Sequence, residues 1–206
     1  MQWFFKLARA FVGFLLPIAF RIEYEGLHNI PQNDKGYIMA SNHTSYLDPV
    51  VLVLRLKPWV RFMAKEELMK ISSLTWLFRW LGIVPVARGA GDMSVISHCA
   101  ELTREGYVLG IFPEGTRYPA GQPGKPKSGM ALIAKMTQAD VLPCAVTYER
   151  PLRFRSRIRV RFGSVVPFSE LGLDEDSPRA LKRATKRVWE EILTLLGLEE
   201  EEKNAG

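Results

Sequence analysis

Apolar and polar positions along this chain follow two periods. Residues 22–24, 36–40, 61–64, 107–112 and 141–146 are short apolar runs of strand length, bounded by turn-forming residues. Elsewhere apolar positions recur at helical spacing. Leu68, Ile71 and Leu74 form one such stripe, Val95, Ile96, Cys99 and Leu102 a second, and Met130, Ile133 and Ala134 a third. A fourth runs through Leu181, Ala184, Val188, Ile192 and Leu195. The stops agree with the stripes: Asp48-Pro49 and Ser177-Pro178 pair a capping residue with a first-turn proline, Asp92 opens a helix, and Gly106 closes it. Pro143 sits awkwardly inside an apolar run, so that strand is expected to begin at or just after it. Strand and helix alternate along the chain, which predicts an α/β sandwich around a mixed sheet, with the chemistry in loops at strand carboxyl ends.

Two stretches break this pattern. In residues 1–21, Trp3, Phe4, Phe5, Phe11, Phe14, Leu15, Leu16, Ile18 and Phe20 crowd around Lys6 and Arg9. The uninterrupted apolar part reaches about 17 Å as a helix against about 30 Å of bilayer hydrocarbon, too short to span. No small-x-small cleavage site precedes Arg21 and Glu23, so the segment reads as an interfacial anchor rather than a signal peptide; the alternative is a terminal helix covering the domain's own core. Residues 22–197 then form one domain, and 198–206 an acidic tail expected to be disordered. The second exception is the stretch 150–163, with six arginines and no acid. Its alternation from Arg155 to Phe162 is that of a half-buried strand with one cationic face, read either as edge protection or as a landing strip for anionic lipid or an acidic carrier. Trp76, Leu77, Phe78, Trp80 and Leu81 are core or an extension of the membrane face.

The 206 residues carry a formal charge of +6, which suits anionic partners. Nucleic acid is not among those expected, because zinc spacing, an aromatic RNA-binding signature and a recognition-helix pattern are all absent. Cys99 and Cys144 are far apart in apolar surroundings, so they read as buried thiols, with no metal implied.

The candidate chemistry begins at residues 42–49, Asn-His-Thr-Ser-Tyr-Leu-Asp-Pro. Five residues along a helix turn a side chain by about 500°, and along a strand the two faces alternate, so His43 and Asp48 meet only across a turn. If they do, Asp48 fixes the imidazole tautomer and His43 becomes a general base; otherwise Asp48 is a helix cap and His43 a loop histidine. Far along the chain, the strand 107–112 runs into Pro113-Glu114-Gly115-Thr116-Arg117, a loop suited to an anion or a polyol.

An N-H-x-x-x-x-D-P stretch followed some seventy residues later by F-P-E-G-T-R resembles the glycerolipid acyltransferase family. That resemblance, over roughly residues 22–168, implies a mixed, roughly seven-stranded sheet flanked by helices. It implies His43 and Asp48 as the catalytic pair and Glu114, Gly115, Thr116 and Arg117 as acceptor-binding residues. Arg88, ending the strand-like 82–88, is the implied phosphate ligand, although Ala87 replaces the acidic residue often found before it. Lys65 and Lys127 are further implied substrate contacts; the flexibility of the Pro/Gly-rich loop 119–126 itself suits it to act as a flap. The implied reaction is direct acyl transfer from acyl-CoA or an acylated carrier protein to the sn-2 hydroxyl of 1-acylglycerol 3-phosphate, giving phosphatidate, without cofactor or covalent intermediate. Its expected setting is the cytoplasmic membrane, with the protein peripheral or monotopic and its site facing the cytoplasm. The alternatives are another lyso-lipid acceptor or a non-catalytic lipid-binding protein.

Overall fold

A computed structural model describes residues 12–33, 35–56, 60–65, 84–86 and 92–198. The expected helix through Leu68, Ile71 and Leu74, the apolar residues 76–81, Arg88, residues 1–11 and the tail from 199 lie outside the described residues. Residues 12–19 are helical (α1). Strands β1 (Arg21–Glu25) and β2 (Ile38–Ser41) precede the short helix α2 (Asp48–Val53). Then come β3 (Val60–Lys65), β4 (Val84–Val86), α3 (Asp92–Arg104), β5 (Val108–Ile111), α4 (Gly129–Thr137), β6 (Val141–Tyr148), β7 (Arg157–Phe162) and α5 (Pro178–Leu196).

The strands lie in the order β1-β7-β6-β2-β5-β3-β4. Every neighbouring pair is parallel except β6 with β7, so the sheet is mixed, as the alternation of elements predicts. The single antiparallel step decides which loops share an edge. The carboxyl ends of β2, β5 and β6 emerge together; because β7 runs the other way and β1 follows it, the amino ends of β7 and β1 lie on that same edge.

The period-two alternation of the strands sorts their side chains between two cores. Ile38, Ala40, Leu109, Ile111 and Val141 point to one face, where Cys99, Ile133, Val188 and Ile192 of α3, α4 and α5 cover them. Met39, Val60, Phe62, Leu142 and Val146 point to the other, against Val51 and Leu52 of α2, with Leu16 and Phe20 packed at its margin. Full burial of a side chain of this size contributes about 1.5–3 kcal/mol, and both layers are built from such residues. Helix α5 shows the local logic best. The Ser177 side chain accepts from the Ala180 amide, Pro178 sits in the first turn, and Gly197 closes the helix with φ +77°.

Two local expectations are corrected. Strand β6 begins at Val141 and contains Pro143. The proline is tolerated because it falls between the last β7 pair, Cys144 with Phe162, and the bridge from Val141 to Val166; its carbonyl accepts from the Gly163 amide. The second correction concerns the arginine-rich strand. Arg157 and Arg159 both pair with Glu23, and Arg161 pairs with Glu25, since β1 lies beside β7 in register. The acids missing from the local sequence come from a strand more than 130 residues away. That face is an ion-pair ladder rather than a bare cationic strip.

Candidate active site

Strand β2 is buried at every position and delivers Asn42 and His43 at the carboxyl edge. Asn42 prolongs the ladder with its side chain: its amide nitrogen donates to the Val146 carbonyl at 3.0 Å and its oxygen accepts from the Val146 amide at 2.8 Å. This clamp to β6 fixes the point at which the chain turns into 43–47. His43 Nδ1 then lies 2.8 Å from Asp48 Oδ2. The same oxygen accepts the amides of Thr44 and Ser45, each at 2.8 Å, so the intervening turn is wrapped around the carboxylate.

Asp48 is therefore not the N-cap expected from its sequence position. It is the first residue of α2, after Leu47, and its carboxylate faces back into the loop. It is fully buried, whereas the His43 side chain is 18% exposed. Its second oxygen, Oδ1, accepts from the Tyr148 hydroxyl at 2.5 Å. Burial and the neighbouring Asp48 charge push the Tyr148 phenol far above its ordinary range, so it stays a donor. Four donors thus hold one buried carboxylate in one orientation.

The imidazole is fixed from its face as well. The Phe112 ring stacks on it with centroids 4.0 Å apart and planes 14° apart, and Phe62 stacks on Phe112 in turn. Phe62 fits only because position 110 is glycine; a Cβ there would meet its ring at 2.3 Å. With Nδ1 committed to Asp48, Nε2 has no partner among the described residues and is the nitrogen left to take a proton.

The loop after β5 meets this turn from the other side. Glu114 is 2% exposed and forms no ion pair with Arg117. Its carboxylate accepts the His43 amide at 2.7 Å and the Gly124 amide at 2.8 Å. Burial pushes its carboxyl above the ordinary range, against the lowering effect of the two amides. The structure places it as a brace joining the histidine turn to the loop 119–126. The Tyr118 amide donates to the His43 carbonyl, and the Lys127 amide to the Pro113 carbonyl, closing the same frame. Gly115 has φ +69°, and the Lys127 side chain lies across it, with Nζ 3.1 Å from where a Cβ would stand. Thr116 and Arg117 are exposed on this rim, and the Arg117 guanidinium lies 3.5 Å over the Tyr46 ring.

Of the residues singled out from sequence, His43, Asp48, Glu114, Gly115, Thr116, Arg117 and Lys127 thus converge on the two loops of one edge. Arg88 and the side chain of Lys65 lie outside the described residues. Sequence reasoning missed Tyr148, Phe112 and Asn42 as members of the site. Tyr148 carries no local signal, being 100 residues from Asp48. Among the described residues no group of three or more His, Cys, Asp or Glu is placed to hold a metal ion.

Fold and site together define an α/β protein with a buried carboxylate gripping a half-buried imidazole beside a cationic loop. The chain belongs to the Acyltransferase family, which it matches over residues 21–147. It is similar to the 1-acyl-sn-glycerol-3-phosphate acyltransferase of Streptococcus pneumoniae, 31% identical over 82% of this chain and 65% of that protein. The alpha form of the enzyme in Mus musculus is 30% identical, over 84% and 65%. Among solved structures it is similar to the 1-acyl-sn-glycerophosphate (LPA) acyltransferase PlsC of Thermotoga maritima. The TM-score is 0.66 and the identity 28%, over 88% of this chain and 72% of that one. The chain spans between 35% and 65% of the length of the first curated relatives it matches.

Proposed function

We propose that this protein transfers an acyl group from an acyl thioester to the sn-2 hydroxyl of 1-acylglycerol 3-phosphate, giving phosphatidate. The carrying observation is the polarised pair: Asp48 buried and held by four donors, and His43 bound to it through Nδ1 with 18% of its side chain exposed. In this reading Nε2 takes the proton of the acceptor hydroxyl as that oxygen attacks the thioester carbonyl. Asp48 stabilises the resulting imidazolium, the thiolate leaves, and the proton passes to it. The donor is acyl-CoA or an acylated carrier protein, and the protein needs no cofactor.

Arg117 and Lys127 are the cations on the rim beside His43, and they serve the acceptor phosphate; Arg88 and Lys65 are assigned the same anion by resemblance. The relatives named above support this acceptor by their own names. No described helix is long and apolar enough to cross a membrane. Helix α1 turns Leu16 inward and leaves Phe14 and Ile18 exposed, which supports an interfacial anchor. In this reading the active edge lies on the cytoplasmic side of the membrane.

The test is free-thiol release from a long-chain acyl-CoA by purified protein, with lysophosphatidic acid, glycerol 3-phosphate and a zwitterionic lysolipid offered separately. Release that requires lysophosphatidic acid and disappears in His43→Ala is expected. Silence with all three acceptors, and again with an acylated carrier protein as donor, refutes the enzymatic reading and leaves lipid binding.

A further inference from the structure

The six-arginine stretch divides into two parts that the sequence does not distinguish. Arg157, Arg159 and Arg161, within β7, are paired with Glu23 and Glu25. Arg150 and Arg153, in the connection from β6 to β7, have no carboxylate partner among the described residues. The nearest acid in sequence, Glu149, accepts from the Arg157 amide instead. Between and beside these arginines Phe154 is 74% exposed and Leu152 39% exposed.

This tip is a built turn. Ser156 is buried, its hydroxyl accepts from the Arg153 amide at 2.8 Å, and its own amide donates to the Arg153 carbonyl. Those bonds hold a conformation in which the largest apolar side chain of the turn faces water. The tip is also fastened to α1. The Arg155 amide donates to the Ala19 carbonyl at 2.6 Å, and its guanidinium donates to the Pro17 carbonyl at 2.9 Å. Phe154 therefore neighbours the end of a helix whose own Phe14 is 68% exposed. The sheet topology places this contact on the active edge, because β6 leaves that edge directly after Tyr148 and both β1 and β7 enter from it.

We propose that the β6–β7 tip, residues 150–155, is a second membrane contact that docks together with α1 on an anionic bilayer and sets the His43 edge against the lipid surface. Exposed aromatic and leucine side chains flanked by unpaired arginines match the acyl boundary and the anionic headgroups respectively. An ion-paired face would not attract the headgroups in this way, which is why the tip and not the β7 ladder is the contact. The orientation it gives rests on the acyltransferase reading; the contact itself does not.

Cys99 and Cys144 are both fully buried, so Phe154→Cys offers one accessible thiol for an environment-sensitive dye among the described residues. The labelled protein is mixed with vesicles of phosphatidylcholine alone and with vesicles containing a third phosphatidylglycerol. A blue shift on the anionic vesicles, reduced by high salt, is expected. Unlabelled Phe154→Ser should partition about tenfold more weakly on flotation. Arg150→Gln with Arg153→Gln should weaken partitioning about fivefold per arginine, on anionic vesicles only. An unshifted dye on protein that floats with the vesicles overturns the proposal, as does failure of the folded protein to bind anionic vesicles. A shift caused by an acidic acyl carrier protein without vesicles would assign the tip to that partner and overturn the lipid contact. A blue shift in protein that releases no thiol sustains the contact while refuting the acyltransferase reading, and thiol release with an unshifted dye does the reverse.

Discussion

Replacing Tyr148 with phenylalanine removes one oxygen and leaves the packing of β6 against α2 unchanged. The two oxygens of Asp48 are served unequally. Oδ2 has three donors, His43 Nδ1 and the amides of Thr44 and Ser45, whereas Oδ1 has the Tyr148 hydroxyl. The substitution strands one oxygen of a fully buried carboxylate, a loss of about 1.5–3 kcal/mol for a hydrogen bond to a charged group. For a protein of this size that lowers the unfolding midpoint by roughly 3–12 °C. If the same energy is felt when the imidazolium forms, kcat falls about ten- to hundredfold. Tyr148 touches neither substrate in this account, so KM for donor and acceptor should stay within about twofold. Thiol-release kinetics and thermal unfolding on the same preparations read both effects. In a His43→Ala background, Tyr148→Phe should keep its stability cost and have no further effect on residual turnover. A Tyr148→Phe protein with unchanged kcat and unchanged midpoint would refute the view that this hydroxyl holds the catalytic carboxylate.

Other substitutions probe the rest of the site. His43→Ala should lower turnover by about a hundredfold or more while circular dichroism stays native, and a folded variant that transfers acyl groups at close to the wild-type rate would end the general-base assignment. Arg117→Ala should raise the apparent KM for phosphate-bearing acceptors well above its effect on the thioester; equal effects on both would count against a phosphate role. Glu114→Gln sets an amide NH2 against either the His43 or the Gly124 amide and should cost about 1–3 kcal/mol, read by denaturant unfolding. Burial raises the Glu114 carboxyl in the folded state, so the folded protein keeps that proton to higher pH than the unfolded chain does. Its contribution to stability therefore falls as pH rises through and above the ordinary glutamate range. The advantage of the wild type over Glu114→Gln should shrink in that window; an advantage that grows instead means the amides outweigh burial.

The sequence by itself determined the parts that depend on near neighbours. The start of α5 was legible because Ser177 and Pro178 act within one turn of the residues they cap. The β and α periods sorted core from surface because a side chain's direction follows from its place in the element. His43 and Asp48 were legible as a pair because a five-residue turn is a local object. Their roles were legible only through the family resemblance. Asp48-Pro49 has the same signature whether the aspartate caps its helix or turns back to bind an imidazole, and only the buried surroundings select the second.

Tertiary structure decided everything that arrives from another strand. Tyr148 reaches Asp48, and Glu114 reaches the His43 amide, because β2 has β5 on one side and β6 on the other, so three carboxyl ends share an edge. Glu23 and Glu25 neutralise the arginines of β7 because β1 inserts beside them in parallel register. The same register leaves Arg150 and Arg153, beyond the end of β1, without a carboxylate partner among the described residues and close to Phe154. Local sequence fixes what each residue is able to do over a few ångströms. Strand order, set by the burial of both sheet faces at once, chooses which of those residues come within that distance.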